Sequence, residues 1–318
     1  MHERVLAVPL IRTADHESAE RRALQRRARR GELHVVRPGV FVQVEALEQL
    51  LPEEHHVLLA RASAPSVRPP RSYSHATAAA IHGMPFVEPP PSRLHVRDPR
   101  RASPDSTTLL FVHPDVTVQQ TSRWSGLEPT SATTFCGASV TSLVRTLVDV
   151  AATAPAVASV PMIDAALGRR LVLPEMLVDE LSAVDPKEHA RAGRALAMGS
   201  PLSDSPAESI GRVRFRQLGA PDPVQQHEFA RPGERRTRVD FWFPDQRVVV
   251  EIDGRAKYED PAMLGGSTTA DAHWQEKRRE DFLRSFPEVR AVVRFSWSDL
   301  MDLETIRAAL VRVGIPCR

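Results

Sequence analysis

The stretch "TRVDFWFPDQRVVVEID", Thr237 to Asp253, constrains the fold more than any other part of the chain. β-Branched and aromatic residues fill both arms, and "PDQR" (Pro244–Arg247) supplies turn formers between them, so the stretch predicts a β-hairpin. The second arm carries "VVV" and Ile252 and is expected to be buried in a sheet. Into that arm the sequence sets two carboxylates, Glu251 and Asp253. Residues i and i+2 of a strand share a face, so these two project together while Val250 and Ile252 face the other way. An even-length loop at the turn places Asp240 directly opposite Glu251, at roughly 4.5–5.5 Å between Cβ atoms. Ionised carboxylates in an apolar sheet are unfavourable unless something compensates them. Three compensations are open: a raised pKa, a neighbouring Lys or Arg, or a divalent cation.

A hard cation such as Mg²⁺ (or Mn²⁺) takes oxygen ligands from one or two carboxylates, with water and substrate phosphate completing the shell. Asp240 and Glu251 are the candidate ligands. Such a metal would lower the pKa of a bound water and neutralise charge developing on a phosphate. Lys257, just past Gly254, is placed to return to the site. Glu208, in the helix "SPAESIGRVRF", is a further candidate member of the cluster. Ser205, Pro206 and Glu208 equally spell a helix start with a capping box and proline at the first helical position.

Around the hairpin, "PVQQHEFA" reads as a strand, "DAHWQEKRREDFLRSF" as a helix and "VRAVVRFSW" as a strand. The expected order is α-β-β-β-α-β, a compact mixed domain with a central sheet. "VDFWFPDQRVVVEIDGRAKY", "EKRREDFLRSF" and "AVVRFSW" together resemble the PD-(D/E)XK nuclease superfamily, in the branch related to very-short-patch-repair endonucleases. The resemblance covers roughly residues 201–310. It implies Asp240 and Glu251 as metal ligands and Glu208 as an additional helix carboxylate. Asp253 stands where the superfamily has its catalytic lysine, which leaves Lys257 as a migrated lysine or the site as an altered one. Arg279 and Arg294 resemble basic positions near the scissile phosphate. Their other reading is an ion pair with Glu280, Asp281 or the carboxylate cluster itself.

The N-terminus has a different character. Six of the ten residues from Arg21 to Arg30 are arginine. On a helix, Arg22, Arg26, Arg29 and Arg30 form one stripe, with Leu24 and Ala28 opposite. "ELHVVRPGVFVQ" follows and reads as a hairpin turning at "RPG". An arginine stripe beside a two-stranded wing suits duplex DNA, where arginines meet phosphates or guanine edges. A solvated basic face is the alternative. "RRARRGELHVVRPGVFV", "YSHATAAAIHGMPF" and "VTSLVRTLVDVAA" resemble the N-terminal domain of AbiEi-type antitoxins, over about Leu10 to Arg170. That resemblance implies operator binding by a winged domain and a cognate toxin as partner. Few residues precede the arginine helix, so the first helices of the winged domain are expected to be shortened.

Three regions follow: a winged-helix-like basic domain at 1–52, a mixed middle domain at 53–200, and a nuclease-like domain at 201–318. The fold class is α/β and α+β multidomain. A net charge of +2 over 318 residues points to no partner on its own. Cys136 and Cys317 are the only cysteines, which gives neither a disulfide framework nor a zinc knuckle. The first residues lack a signal peptide's apolar core, so a cytoplasmic protein is expected. His75, His82 and the pair His55–His56 show no metal-ligand spacing and read as packing or surface residues. Two functions are expected from these features. The first is a metal-dependent DNA endonuclease with a DNA-binding module. The alternative is an AbiEi-like transcriptional regulator or antitoxin whose nuclease-like domain is inactive.

Overall fold

The computed structural model describes residues 2–115, 124, 126–127, 131, 133–182, 184–234, 236–253 and 278–318. Lys257 and Gly254 lie outside the described residues, as does the first part of the helix expected from Asp271. The chain divides into two compact units: Met1–Pro155 with Arg170–Ala197, and Ala156–Arg169 with Met198–Arg318.

The first unit opens with α1 (Glu3–Ala7), β1 (Ile11–Arg12), a 3₁₀ turn at Thr13–Asp15, α2 (Ser18–Arg29), β2 (Leu33–Arg37) and β3 (Val40–Gln43). β1, β3 and β2 form a three-stranded antiparallel sheet in that order. α2 starts at a capping box formed by Glu17 and Glu20. The acidic start and basic end of α2 both complement the helix dipole. Its apolar stripe is short: Leu24 packs with Leu33 and Phe41, and Ala28 and Ile11 lie against them.

The chain continues through α3 (Pro52–Ser63), β4 (Ser72–Tyr73), α4 (His75–Ile81), β5 (Leu94–Asp98), β6 (Asp105–Ser106), β7 (Leu110–Pro114), β8 (Thr133–Phe135), β9 (Ala138–Val140) and α5 (Leu143–Thr153). The strands make a six-stranded sheet ordered β6-β7-β5-β4-β9-β8. β5 and β7 pair in parallel, with His95 beside Phe111 and Arg97 beside His113. The stretch "SVTSLVRTLVDVAA" is not helical throughout. Its first residues belong to β9, and the helix begins only after Ser142, whose side chain accepts from Arg145 N. Helical periodicity cannot separate a strand from the helix it runs into.

After α5 the chain forms one helix of the second unit, α6 (Ala156–Gly168). It then completes the first unit with α7 (Pro174–Leu181) and α8 (Pro186–Leu196). α4, α7 and α8 pack around α5, ten of whose eleven residues are buried.

The second unit continues with α9 (Pro206–Gln217), β10 (Val224–Phe229), β11 (Thr237–Phe243), β12 (Val248–Ile252), helix α10 at 278–284, β13 (Ala291–Phe295), α11 (Trp297–Met301) and α12 (Leu303–Arg312). Its four-stranded sheet runs β10-β11-β12-β13. β10, β11 and β12 form an antiparallel meander, and β13 joins β12 in parallel. One face packs on α9: Phe215 meets Phe241, Phe243 and Phe295. A Cβ at Gly211 would come within 3.2 Å of Ile252, so glycine allows α9 to lie close to the sheet. On the other face Trp242 and Val249 join Leu283 of α10 and Phe286 just beyond it. Asp164 of α6 anchors the start of α9 through Ser200 N at 2.7 Å, Ser203 Oγ at 3.0 Å and Arg212.

Candidate functional site

The β11–β12 register pairs Phe241 with Val250, Trp242 with Val249 and Phe243 with Val248. Four residues remain for the turn. Continued by one position, this register sets Asp240 across from Glu251. Asp240 Oδ2 accepts a 2.7 Å hydrogen bond from Ile252 N, which ties it to the partner strand. By strand alternation Asp240 and Glu251 lie on the face that bears Trp242 and Val249, the face covered by α10.

Glu251 is 4% exposed. Both of its oxygens are taken by one guanidinium: Arg279 Nη1 donates to Oε2 at 2.9 Å and Nη2 to Oε1 at 3.0 Å. Nη2 also donates to the Arg238 carbonyl at 2.7 Å. Burial pushes the Glu251 carboxyl above its ordinary range, Arg279 pulls it back, and Asp240 pushes it up again. Arg294 stands beside Glu251 in the parallel β12–β13 register and also favours its charge. Arg294 approaches Glu280 at 3.9 Å. Asp253 follows β12, and its backbone N–H donates to the Phe295 carbonyl at 2.9 Å.

Glu208 serves the start of its own helix. Ser205 Oγ donates to it at 2.8 Å, Asp204 N at 2.9 Å and Gln226 Nε2 at 2.8 Å. Its backbone N–H donates to Ser205 Oγ, which completes the cap. Burial pushes its carboxyl up to about 7, and the charge of Asp240 acts in the same direction. Glu208, Asp240 and Glu251 thus form an electrostatically coupled set, in which Glu208 also caps α9.

The chemistry of this donor set does not favour Mg²⁺ or Mn²⁺. Glu251 already faces a cation with both oxygens, and Asp240 commits one oxygen to the hairpin. Among the described residues, no group of three or more His, Cys, Asp or Glu is placed to hold a metal ion.

On α2, Arg22, Arg26, Arg29 and Arg30 are exposed, opposite the packed Leu24 and Ala28. Glu32 holds Arg30 at 2.6 Å and Arg27 at 3.1 Å. This raises the Arg30 pKa and lowers that of Glu32. The arginine stripe and the β2–β3 hairpin belong to the same small sheet-and-helix assembly.

A third cluster lies in the first unit. His75 stacks on His113 with ring centroids 3.5 Å apart, and His113 Nε2 lies 3.0 Å from His95 Nδ1. Asp149 of α5 accepts from Arg97 at 2.6 and 3.0 Å and from Arg145 at 2.8 Å, with His75 Nδ1 at 3.8 Å. Arg97 and Arg145 reach further to Asp115 and Glu180. Burial lowers His95 to about 4 and His113 to about 3, and holds His75 well below its usual value. All three rings are neutral at pH 7. Asp149 keeps its charge despite burial, because the Arg97 and Arg145 guanidiniums pull its pKa far down.

Residues 73–198 match the family model of the AbiEi antitoxin C-terminal domain. No curated protein and no solved structure matches the chain. The AbiEi match begins in β4 and ends just after α8, so it contains the whole His75–Asp149 cluster. Of the three segments that carry the antitoxin resemblance, "YSHATAAAIHGMPF" and "VTSLVRTLVDVAA" fall wholly within it. "RRARRGELHVVRPGVFV" precedes it. The matched family is the C-terminal domain of the antitoxin, whereas the resemblance pointed to the N-terminal one.

His95, His113 and Arg97 had no distinguishing spacing in the sequence. Arg145 and Asp149 sit at i and i+4 on one helix, a detectable pair. The parallel register of β5 and β7 that brings in the other three has no turn to announce it.

Proposed function

We propose that this chain is a DNA-binding regulator of the antitoxin kind, with a cognate toxin protein as its second partner. The observation that carries the reading is the AbiEi antitoxin match over residues 73–198. The assignment of DNA contact to α2 rests on its exposed arginine stripe and on the β1-β3-β2 sheet beside it. That sheet order, with a helix entering an antiparallel hairpin, suits a winged-helix module in which the 3₁₀ turn at Thr13–Asp15 stands for a shortened helix. α2 then lies on the duplex, and Arg22, Arg26 and Arg29 neutralise phosphates.

The test is fluorescence anisotropy on duplex DNA from upstream of its own coding sequence, over a range of salt. Affinity is expected to fall steeply with salt. It is also expected to drop at least tenfold when Arg22, Arg26, Arg29 and Arg30 are all changed to glutamate. Unchanged affinity in that variant would remove the DNA-binding assignment.

A second reading is favoured by the α9-β10-β11-β12-α10-β13 order and by Glu208, Asp240 and Glu251 gathered on it. We read this unit as a nuclease-like domain of the PD-(D/E)XK kind that does not hydrolyse DNA. Asp253 takes the place of the expected lysine, and Arg279 occupies Glu251. No nicking of plasmid DNA is expected with Mg²⁺ or Mn²⁺. Cleavage abolished by Asp240→Ala in a folded variant would restore the endonuclease reading.

A further inference from the structure

We propose that Arg279 is the built-in counter-cation of the carboxylate cluster, so that the native chain binds no Mg²⁺ or Mn²⁺ there until that guanidinium is removed. Four observations combine. The fork geometry uses both Glu251 oxygens at once, an arrangement a planar guanidinium makes and an ammonium does not. A further bond to the Arg238 carbonyl fixes the same guanidinium to β11, so it is held by both arms of the hairpin. Glu251 is buried, which leaves little room for the water shell that Mg²⁺ retains. Arg294, adjacent in register, adds a second positive charge beside the carboxylate, and a dication placed there is repelled by both.

Like charges across a hairpin need a cation, and here the chain supplies its own from α10. The carboxylate pair is therefore a latent metal site. Removing the guanidinium vacates both Glu251 oxygens and takes one positive charge away from the pair, which opens it to a divalent ion.

The experiment uses the full chain and Mn²⁺ alone, followed by titration calorimetry and electron paramagnetic resonance. Native protein is expected to show no saturable binding that depends on Asp240. Arg279→Met is expected to melt at a lower temperature and to gain a saturable Mn²⁺-dependent rise in melting temperature, which adding Asp240→Asn removes. Two results overturn the proposal: saturable Mn²⁺ binding by native protein that Asp240→Asn abolishes, or an Arg279→Met variant that melts like native and stays blind to Mn²⁺. If Arg279→Met does not fold, the double variant Arg279→Met/Glu251→Gln decides. Recovery of folding supports the assignment, because the orphaned carboxylate is gone. Failure to recover overturns it.

Discussion

Each unit buries a carboxylate in its core beside arginine, yet the two carboxyls shift in opposite directions. Asp149 is 1% exposed and Glu251 4% exposed, so burial acts on both. Asp149 meets two guanidiniums, which also reach Asp115 and Glu180. Glu251 meets one fork and has Asp240 across the hairpin. The first carboxyl is held far below its ordinary range and the second is pushed above it. Direct hydrogen bonding separates them, with two guanidiniums on Asp149 against one on Glu251 and Asp240 opposed to it, because burial penalises both charges in kind. One site is locked as an ion network. The other can relieve itself by taking a proton.

This difference is sharpest under mutation. Asp149→Asn removes the carboxylate that Arg97 and Arg145 share and leaves them Asp115 and Glu180, and these guanidiniums, 8% and 9% exposed, cannot shed their charge. A loss of about 3–5 kcal/mol in unfolding free energy, read from urea titration, is expected. Arg279→Met strands a carboxylate that can protonate, so the loss is smaller, about 1–3 kcal/mol, and shrinks as pH falls. Equal losses for the two variants, or no pH effect on the second, would break the comparison.

The pH responses of the two units are expected to oppose one another. His95 and His113 have folded pKa values of about 4 and about 3 against an ordinary 6.5. Their neutral forms stabilise the first unit fully above 6.5, and that contribution is lost as pH falls below 6.5 towards the folded values. Glu208 has a folded value of about 7 against 4.5. Its contribution is fully present below 4.5 and is lost as pH rises through 7. Between pH 6.5 and 4.5, hydrogen exchange corrected for intrinsic rates should show β5 and β7 losing protection while β11 and β12 gain it. Parallel changes in both units would count against the contrast. Glu208→Gln is expected to flatten the second unit's response without touching the first.

The smallest effect concerns α2. Each arginine that meets a phosphate contributes a slope of about 0.9 in log affinity against log salt. Substituting Arg22, Arg26 or Arg29 singly with alanine should lower the slope by about that amount, and Arg30 by less, because Glu32 already engages it. Glu32→Gln is expected to raise DNA affinity modestly by releasing Arg27 and Arg30. An unchanged slope for all three single variants would leave α2 as a solvated basic face.

Much of the second unit was legible in the sequence for local reasons. A turn-forming "PDQR" fixes hairpin length, length fixes register, and register sets Asp240 opposite Glu251. The cap at Ser205 was legible for the same kind of local reason. Of the three ways to compensate the cluster, a raised pKa, a basic neighbour or a divalent cation, the sequence reading favoured the divalent cation held by Asp240 and Glu251. In the structure the Arg279 fork holds Glu251, and burial keeps its pKa raised. Arg279 lies 28 positions along the chain from Glu251, and only the packing of α10 on the sheet face brings its fork to the carboxylate.

In the first unit, the stripe of α2 followed from helical periodicity alone, because an exposed helix shows its polar face directly in the sequence. The His75–His113–His95 stack and its Asp149–Arg97 neighbour did not follow from it. Those residues come from α4, α5, β5 and β7, and parallel pairing fixes no register that a turn could reveal. By itself the sequence determined which residues share a face within each local element. The tertiary structure alone decided which charges meet, because buried charges are settled by long-range packing that supplies their partners.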